Sequence, residues 1–283
     1  TFHRCDGSTW QKTTLAKGSS YSLPGVRDAE GYTFMGWSTK PMQSVSPQYE
    51  AEEKITVNGN VDLYAVVFNR TTETDLTEDQ LPQVDIYKYK QVIFVGDSRT
   101  EFMENVLTGM GESATKNVKF VCSAGKGLDW FTTTGWAQLY SIVQHDSNSI
   151  LSKKTAVIFN FGVNDLSKSA DYAEYYNWIA PQLKSKGCEL YFMSVNPVNR
   201  LMLPNAGRAD RSEAAVRSFN QYMKANLSSA YTYIDMYSYL KSTGYSFASD
   251  HYGTGTVDDG LHYTTRTYKR IFAKCMDSLR VPA

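Results

Sequence analysis

At 283 residues, with 42 % hydrophobic and 20 % charged side chains, the chain is long enough for one large domain or two unequal ones built around a real core. Its 29 basic and 29 acidic residues cancel, so no net field recruits nucleic acid or an anionic membrane. No apolar run reaches membrane-spanning length, so no membrane insertion is expected; no secretory leader is visible, and the start at Thr1 without a methionine reads as an internal fragment.

The first seventy residues alternate in short segments broken by turn residues: Leu23-Pro24-Gly25, Glu30-Gly31-Tyr32 and Asn58-Gly59-Asn60. Strands are expected at 34–37 and 61–68, and no long helical period occurs. Residues 1–70 are therefore predicted to form a small, mostly β module, a spacer or a weak binding unit. Trp37 suits stacking on a sugar ring or, better, packing of the small core. Residues 71–85 are polar, acidic and carry a proline, as a linker would.

From residue 86 to 283 the pattern changes. Strands are expected at 91–95, 118–122, 155–160, 189–195 and 231–235, with helical periods at 100–109, 130–144, 171–186, 210–228 and 265–279. Apolar strands alternating with helices imply a parallel sheet covered on both faces, with its chemistry at the carboxyl ends of the strands. Ser98, Gly125, Asn164 and Asn196 all fall just after an expected strand. The four cysteines lack Cys-x-x-Cys spacing and are expected to be buried free thiols rather than a disulfide framework or a metal site.

Ser98 ends the run Val92-Ile93-Phe94-Val95-Gly96-Asp97-Ser98 and opens a helix, where partial positive charge favours a developing anion. The Asp97-Ser98 pair equally suits a helix cap. A serine hydroxyl needs a base, and that base needs an acid to orient it. Of the four histidines, His3, His145, His251 and His262, the last has Asp259 three residues before it on one expected turn. Asp258 is the alternative acid, and His251, in Asp250-His251-Tyr252-Gly253, is the rival base. Acyl transfer also needs donors aimed at the oxyanion. The backbone N–H of Ser98, that of Gly125 in Ser123-Ala124-Gly125-Lys126-Gly127, and the amide of Asn164 in Gly162-Val163-Asn164-Asp165 are the candidates. Together the blocks imply a serine-dependent hydrolase.

Taken together, GDS at 96–98, the glycine at 125, GVND at 162–165 and DGLH at 259–262 resemble the four blocks of the SGNH (GDSL-like) hydrolase family over residues 86–281. The resemblance implies a three-layer α/β/α sandwich with a parallel, flavodoxin-like sheet and an esterase mechanism without metal or other cofactor. It implies Ser98 as nucleophile, His262 as base, Asp259 as its orienter, and Ser98, Gly125 and Asn164 as oxyanion donors, with Gly127 as the alternative glycine. Arg99 departs from the leucine of the lipase-type signature, and no Gly-x-Ser-x-Gly elbow occurs. Gly31-Tyr32-Thr33-Phe34-Met35-Gly36-Trp37-Ser38, with Tyr49, 55–57 and 61–66, resembles a Listeria–Bacteroides (internalin B-type) repeat, which implies a small β-grasp-like domain of Gram-positive surface proteins.

The two resemblances together, a surface-protein repeat joined to an SGNH catalytic unit, imply an O-acylated, most often O-acetylated, carbohydrate as substrate, and an extracellular or cell-surface location. Arg99, Trp130 and Asn196 are the candidate substrate contacts. Phe131, Tyr252 and Tyr263 are further aromatics for a stacking platform or for packing, and Arg200 could meet an anionic group or anchor loops. Two alternatives stand beside the esterase: an O-acetyltransferase acting on a cell-wall polymer, and an inactive glycan-binding adhesion module.

Overall fold

Residues 89–96, an apolar run ending in glycine, form a strand buried on both faces, as a central parallel strand requires. The computed structural model describes residues 1–85, 88–146, 154–249 and 258–279. Residues 1–70 supply β1 (Phe2–His3), β2 (Thr9–Gln11), β3 (Ser19–Ser22), β4 (Tyr32–Ser38), β5 (Lys54–Val57) and β6 (Leu63–Asn69). There follow β7 (Tyr89–Gly96), α1 (Ser98–Met110), β8 (Val118–Cys122), and α2 (Leu128–Trp130), which runs through a π turn into α3 (Trp136–Asp146). Next come β9 (Lys154–Asn160), α4 (Ser169–Ser185), β10 (Cys188–Met193), α5 (Glu213–Asn226) and β11 (Tyr231–Ile234). The last are α6 (Met236–Thr243), β12 (Phe247–Ser249), β13 (Asp258–Tyr263) and α7 (Thr265–Ser278).

The backbone clusters into two compact units that do not follow chain order. One contains Thr1–Thr74, Asn196–Val216 and Tyr237–Thr264; the other contains Asp75–Val195, Arg217–Met236 and Thr265–Ala283.

The second unit holds a five-stranded parallel sheet in the order β11-β10-β9-β7-β8. Numbered from its own first strand this is 2-1-3-4-5, the flavodoxin-like order, whose switch point lies between β7 and β9. Helices cover the sheet: α1 packs on β7, β8 and α7, and α4 on β10. All five expected strands of this sheet are present, each within two residues of its expected limits. The helix expected over 210–228 is shorter, at Glu213–Asn226. The four cysteines are free, Cys188 and Cys275 buried and Cys5 and Cys122 half-buried. Among the described residues no helix is long and apolar enough to cross a membrane.

The first unit holds a β-rich region with the sheet order β2-β1-β6-β4 and two separate ribbons, β3-β5 and β12-β13. Trp37 is fully buried among Phe2, Leu23, Phe34, Leu63 and Ala65, and its ring nitrogen donates to Pro24 O at 2.8 Å. It packs the core and presents no face to a sugar. A second buried cluster ties residues 1–74 to the other segments of this unit. Lys241 Nζ donates to Met35 O at 2.9 Å and pairs with Glu50 at 2.8 Å and Glu213 at 3.0 Å. Glu213 also accepts from Tyr237 Oη at 2.6 Å and Val198 N at 3.0 Å. Burial alone would lower the Lys241 pKa, but the carboxylate charges of Glu213 and Glu50 outweigh it and hold the ammonium on. Lys241→Met would leave two carboxylates uncompensated, and urea unfolding is expected to show a loss of about 3–5 kcal/mol.

Candidate active site

Gly96 ends β7 where a side chain would run into Thr100, so only glycine lets the strand turn into α1 here. Asp97 is the helix cap: its Oδ1 accepts from Arg99 N at 3.0 Å, and its carbonyl accepts from Thr100 N and Glu101 N, each at 3.0 Å. Capping therefore falls to Asp97, and Ser98 is the first residue of the helix, 6 % exposed. Its hydroxyl lies in the positive end of the helix dipole.

β9 runs beside β7, with Asn160 opposite Gly96, and Asn160 Nδ2 donates to Thr100 Oγ1 at 3.1 Å. The segment after β9 thus starts next to Ser98, at the switch point. Gly162 has φ +130°, and a Cβ there would lie 2.6 Å from the Phe219 ring and 2.9 Å from Val195 Cγ2. Asn164 Nδ2 donates to Lys126 O at 2.8 Å, which joins this segment to the loop that carries Gly125. Gly125 is exposed, with φ +70°, and a Cβ there would meet nothing within 4 Å. Gly127 serves differently: its α-carbon abuts the Asp165 carboxylate, which accepts from Leu128 N at 2.9 Å and Tyr172 Oη at 2.7 Å. Asp165 thereby fixes the start of α2 to α4. Sequence reasoning assigns Asp165 no part of its own; the available signal is a carboxylate that closes a glycine-led turn.

Asp259 and His262, in the first unit, are 0 % and 2 % exposed, and His262 Nδ1 lies 2.5 Å from Asp259 Oδ2. A carboxylate only accepts, so the ring proton sits on Nδ1 and the lone pair on Nε2. The other oxygen, Oδ1, accepts from Leu261 N at 2.8 Å and His262 N at 2.7 Å. Burial pushes the Asp259 carboxyl up, but the bond and charge of His262, with the two backbone N–H groups, leave it below its ordinary value. The turn expected at 259–262 is instead the middle of β13, kinked at Gly260, whose φ of +68° lets the aspartate reach back to those N–H groups. A side chain at Gly260 would meet Asn199 O and Met202 Cβ, each at 2.6 Å. Asp258, the alternative acid, pairs with Arg70 at 2.6 Å instead. Arg208 Nη2 reaches Asp259 Oδ2 at 3.3 Å, a contact that no local pattern signals because the two are 51 residues apart.

The other candidates belong to both units. Arg99 is buried in the first turn of α1, Trp130 is half-buried with its ring tilted against Phe161 at 6.1 Å, and Asn196 is buried in the first unit. Phe131 and Tyr263 are core residues, Tyr263 Oη donating to Pro197 O at 2.5 Å. Arg200 anchors loops through Asp210 at 2.6 Å and Glu52 at 3.4 Å. His3 pairs with Asp62 at 2.9 Å. His251 and Tyr252 lie outside the described residues, as does the side chain of His145. Among the described residues no group of three or more His, Cys, Asp or Glu is placed to hold a metal ion.

A model of GDSL-like lipases and acylhydrolases matches residues 92–275, and one of the Listeria–Bacteroides repeat domain matches residues 1–66. A comparison with curated proteins returns no match. Among solved structures, a Bacteroides fragilis protein assigned as an acylhydrolase is 16 % identical, covering 71 % of this chain and 92 % of its own, with a TM-score of 0.43. An SGNH hydrolase assigned in Slackia heliotrinireducens is 13 % identical over 68 % of this chain and 100 % of its own, at 0.46. The catalytic domain of Streptococcus pneumoniae peptidoglycan O-acetyltransferase A is 16 % identical over 68 % and 92 %, at 0.39.

Proposed function

This chain belongs to the GDSL-like lipase/acylhydrolase family, and from that premise we propose that it is a cell-surface or secreted serine esterase removing O-acyl groups, foremost O-acetyl, from a carbohydrate. The observation that carries the proposal is the buried Asp259–His262 pair, 2.5 Å apart, with the basic nitrogen left at Nε2. In this proposal residues 86–283 are the catalytic domain, 71–85 a linker and 1–70 an accessory module.

Ser98 Oγ attacks the ester carbonyl while His262 Nε2 takes its proton, and Asp259 stabilises the imidazolium that forms. The carbonyl oxygen becomes an oxyanion, held by the N–H groups of Ser98 and Gly125 and by the Asn164 amide, which is braced on Lys126 O. The bond to the sugar oxygen then breaks, and that oxygen leaves with the proton from His262. Water, deprotonated by His262, attacks the acyl-enzyme; the bond to Ser98 Oγ breaks, His262 returns the proton to that oxygen, and acetate leaves. No cofactor enters either half-reaction. The carbohydrate assignment rests on the match to a Listeria–Bacteroides repeat at residues 1–66 and on Arg99 standing where lipase-type signatures carry leucine.

An alkyl fluorophosphonate should label the protein once, at Ser98, and the unlabelled protein should release acetate from an aryl acetate and from acetylated polysaccharide. Acetate released with no acetyl group transferred to added glycan supports the esterase. Acetyl groups appearing on added glycan would make the protein a transferase using the same residues. Absence of both labelling and turnover, with tight glycan binding, would make it an inactive adhesion module.

A further inference from the structure

The strand that bears Asp259 and His262 lies outside the large parallel sheet. Its ladder partner is β12, three residues long, in a two-stranded ribbon. Such ribbons are marginal on their own, so the position of the acid–base pair depends on what else grips this strand.

Part of that grip comes from residues 199–208, through Asn199 and through Arg208 on Asp259, and part from residues 26–70. Arg70 spreads its guanidinium over three acceptors: Nη1 pairs with Asp258 at 2.6 Å, Nη2 with Asp28 at 2.7 Å, and Nε donates to Thr33 Oγ1 at 2.9 Å. The other oxygen of Asp28 accepts from Phe34 N at 2.9 Å and from Asn199 Nδ2 at 2.8 Å. Asn199 Nδ2 also reaches Val26 O at 3.1 Å, and its backbone N donates to Gly260 O at 2.9 Å. The contacts close into a ring that runs from Asp28 through Arg70 to Asp258, along the strand past Asp259 to Gly260, and back through Asn199 to Asp28. Asp259 is thus held by its neighbour on each side.

We infer that the N-terminal β region is the scaffold of the acid–base pair, with Arg70 its positioning residue, an inference that rests on the roles given above to Asp259 and His262. An arginine fork suits the task because its planar donors fix two carboxylates at a set angle, which a flexible ammonium does not. Arg70 does not touch the reacting atoms; it acts through Asp258 on the strand. Burial lifts the Asp28 carboxyl to about 6 against the pull of Arg70, so at neutral pH Asp28 is ionised and needs that partner.

The test compares Arg70→Met, Arg70→Lys, Asp258→Asn and His262→Ala in the full chain, with kcat and KM on an aryl acetate, thermal melts, and the downfield NMR proton of the His–Asp bond, identified by its loss in His262→Ala. Arg70→Met is expected to lower kcat about tenfold to a hundredfold with KM unchanged, the range that a misplaced catalytic group costs, and to weaken or abolish the downfield resonance. Arg70→Lys should recover part of both. A folded Arg70→Met with kcat within about twofold of the parent and the resonance intact overturns the inference, since ordinary surface changes have effects of that size. If Arg70→Met does not fold, Asp258→Asn decides on the same two readouts, because it removes one arm of the ring at a partly exposed position. Turnover that survives in His262→Ala would instead sink the assigned triad, and this inference with it.

Discussion

Ser98→Ala is expected to lower kcat on an aryl acetate by about ten-thousand-fold or more while leaving the thermal midpoint nearly unchanged. Both halves of that result follow from the same helix start. The lost hydroxyl is that of the proposed nucleophile, which stands two residues past the end of β7 at the first position of α1. Stability survives because the cap is Asp97, whose carboxylate and carbonyl hold Arg99 N, Thr100 N and Glu101 N whatever stands at 98. Small side chains at the first helical position differ little in propensity. Steady-state kinetics together with a melt check it. A variant that keeps a tenth of parental activity would mean another group attacks the ester, and one that melts far lower would mean Ser98 holds the fold.

Asp259→Asn is expected to cost about ten-thousand-fold in kcat, as seen when a triad carboxylate becomes an amide. The physical reason is the tautomer. A carboxylate only accepts, which holds the proton on Nδ1; an amide offers N–H donors to the same nitrogen and moves the lone pair there, away from the substrate side. An amide also lacks the charge that stabilises the imidazolium. Because the Asp259 carboxyl is held below its ordinary value in the folded protein, its charge adds stability that is present above the unfolded value of about 3.9 and is lost as pH falls through the lower folded value. The variant should therefore show a flatter acid-denaturation curve as well as the kinetic loss. Kinetics near neutrality and unfolding below about pH 4 measure the two effects separately. Full activity in the variant would remove Asp259 from the mechanism.

Much of the second unit was legible because its signals are local. The run at 91–95 and the four strands after it are too apolar and too regularly spaced by helical periods to form anything but a covered parallel sheet. The blocks at 96–98 and 162–165 lie directly after neighbouring strands, so strand order alone brings them to one end of the sheet. Trp37 was legible as core because it sits in an alternating, apolar strand. The turn expected at 259–262 became a kinked strand because its partner, Phe247–Ser249, is too short to register as a strand.

The sequence by itself determined the parallel sheet, the β-rich start, the pairing of Asp259 with His262 and the serine at a helix start, since each arises within a few residues or from strand periodicity. Only the tertiary structure decided that Asp97 rather than Ser98 caps α1, that Asp258 belongs to Arg70 while Asp259 belongs to His262, and that Asp165 fixes the loop of Gly127. It also decided that residues 1–74 cluster with the segments on either side of α5 and with β13. Charged residues in loops look alike in a sequence, since water would solvate any of them equally well. What distinguishes Arg70 or Lys241 is burial against carboxylates far along the chain, and a buried charge has one low-energy arrangement that only the folded chain selects.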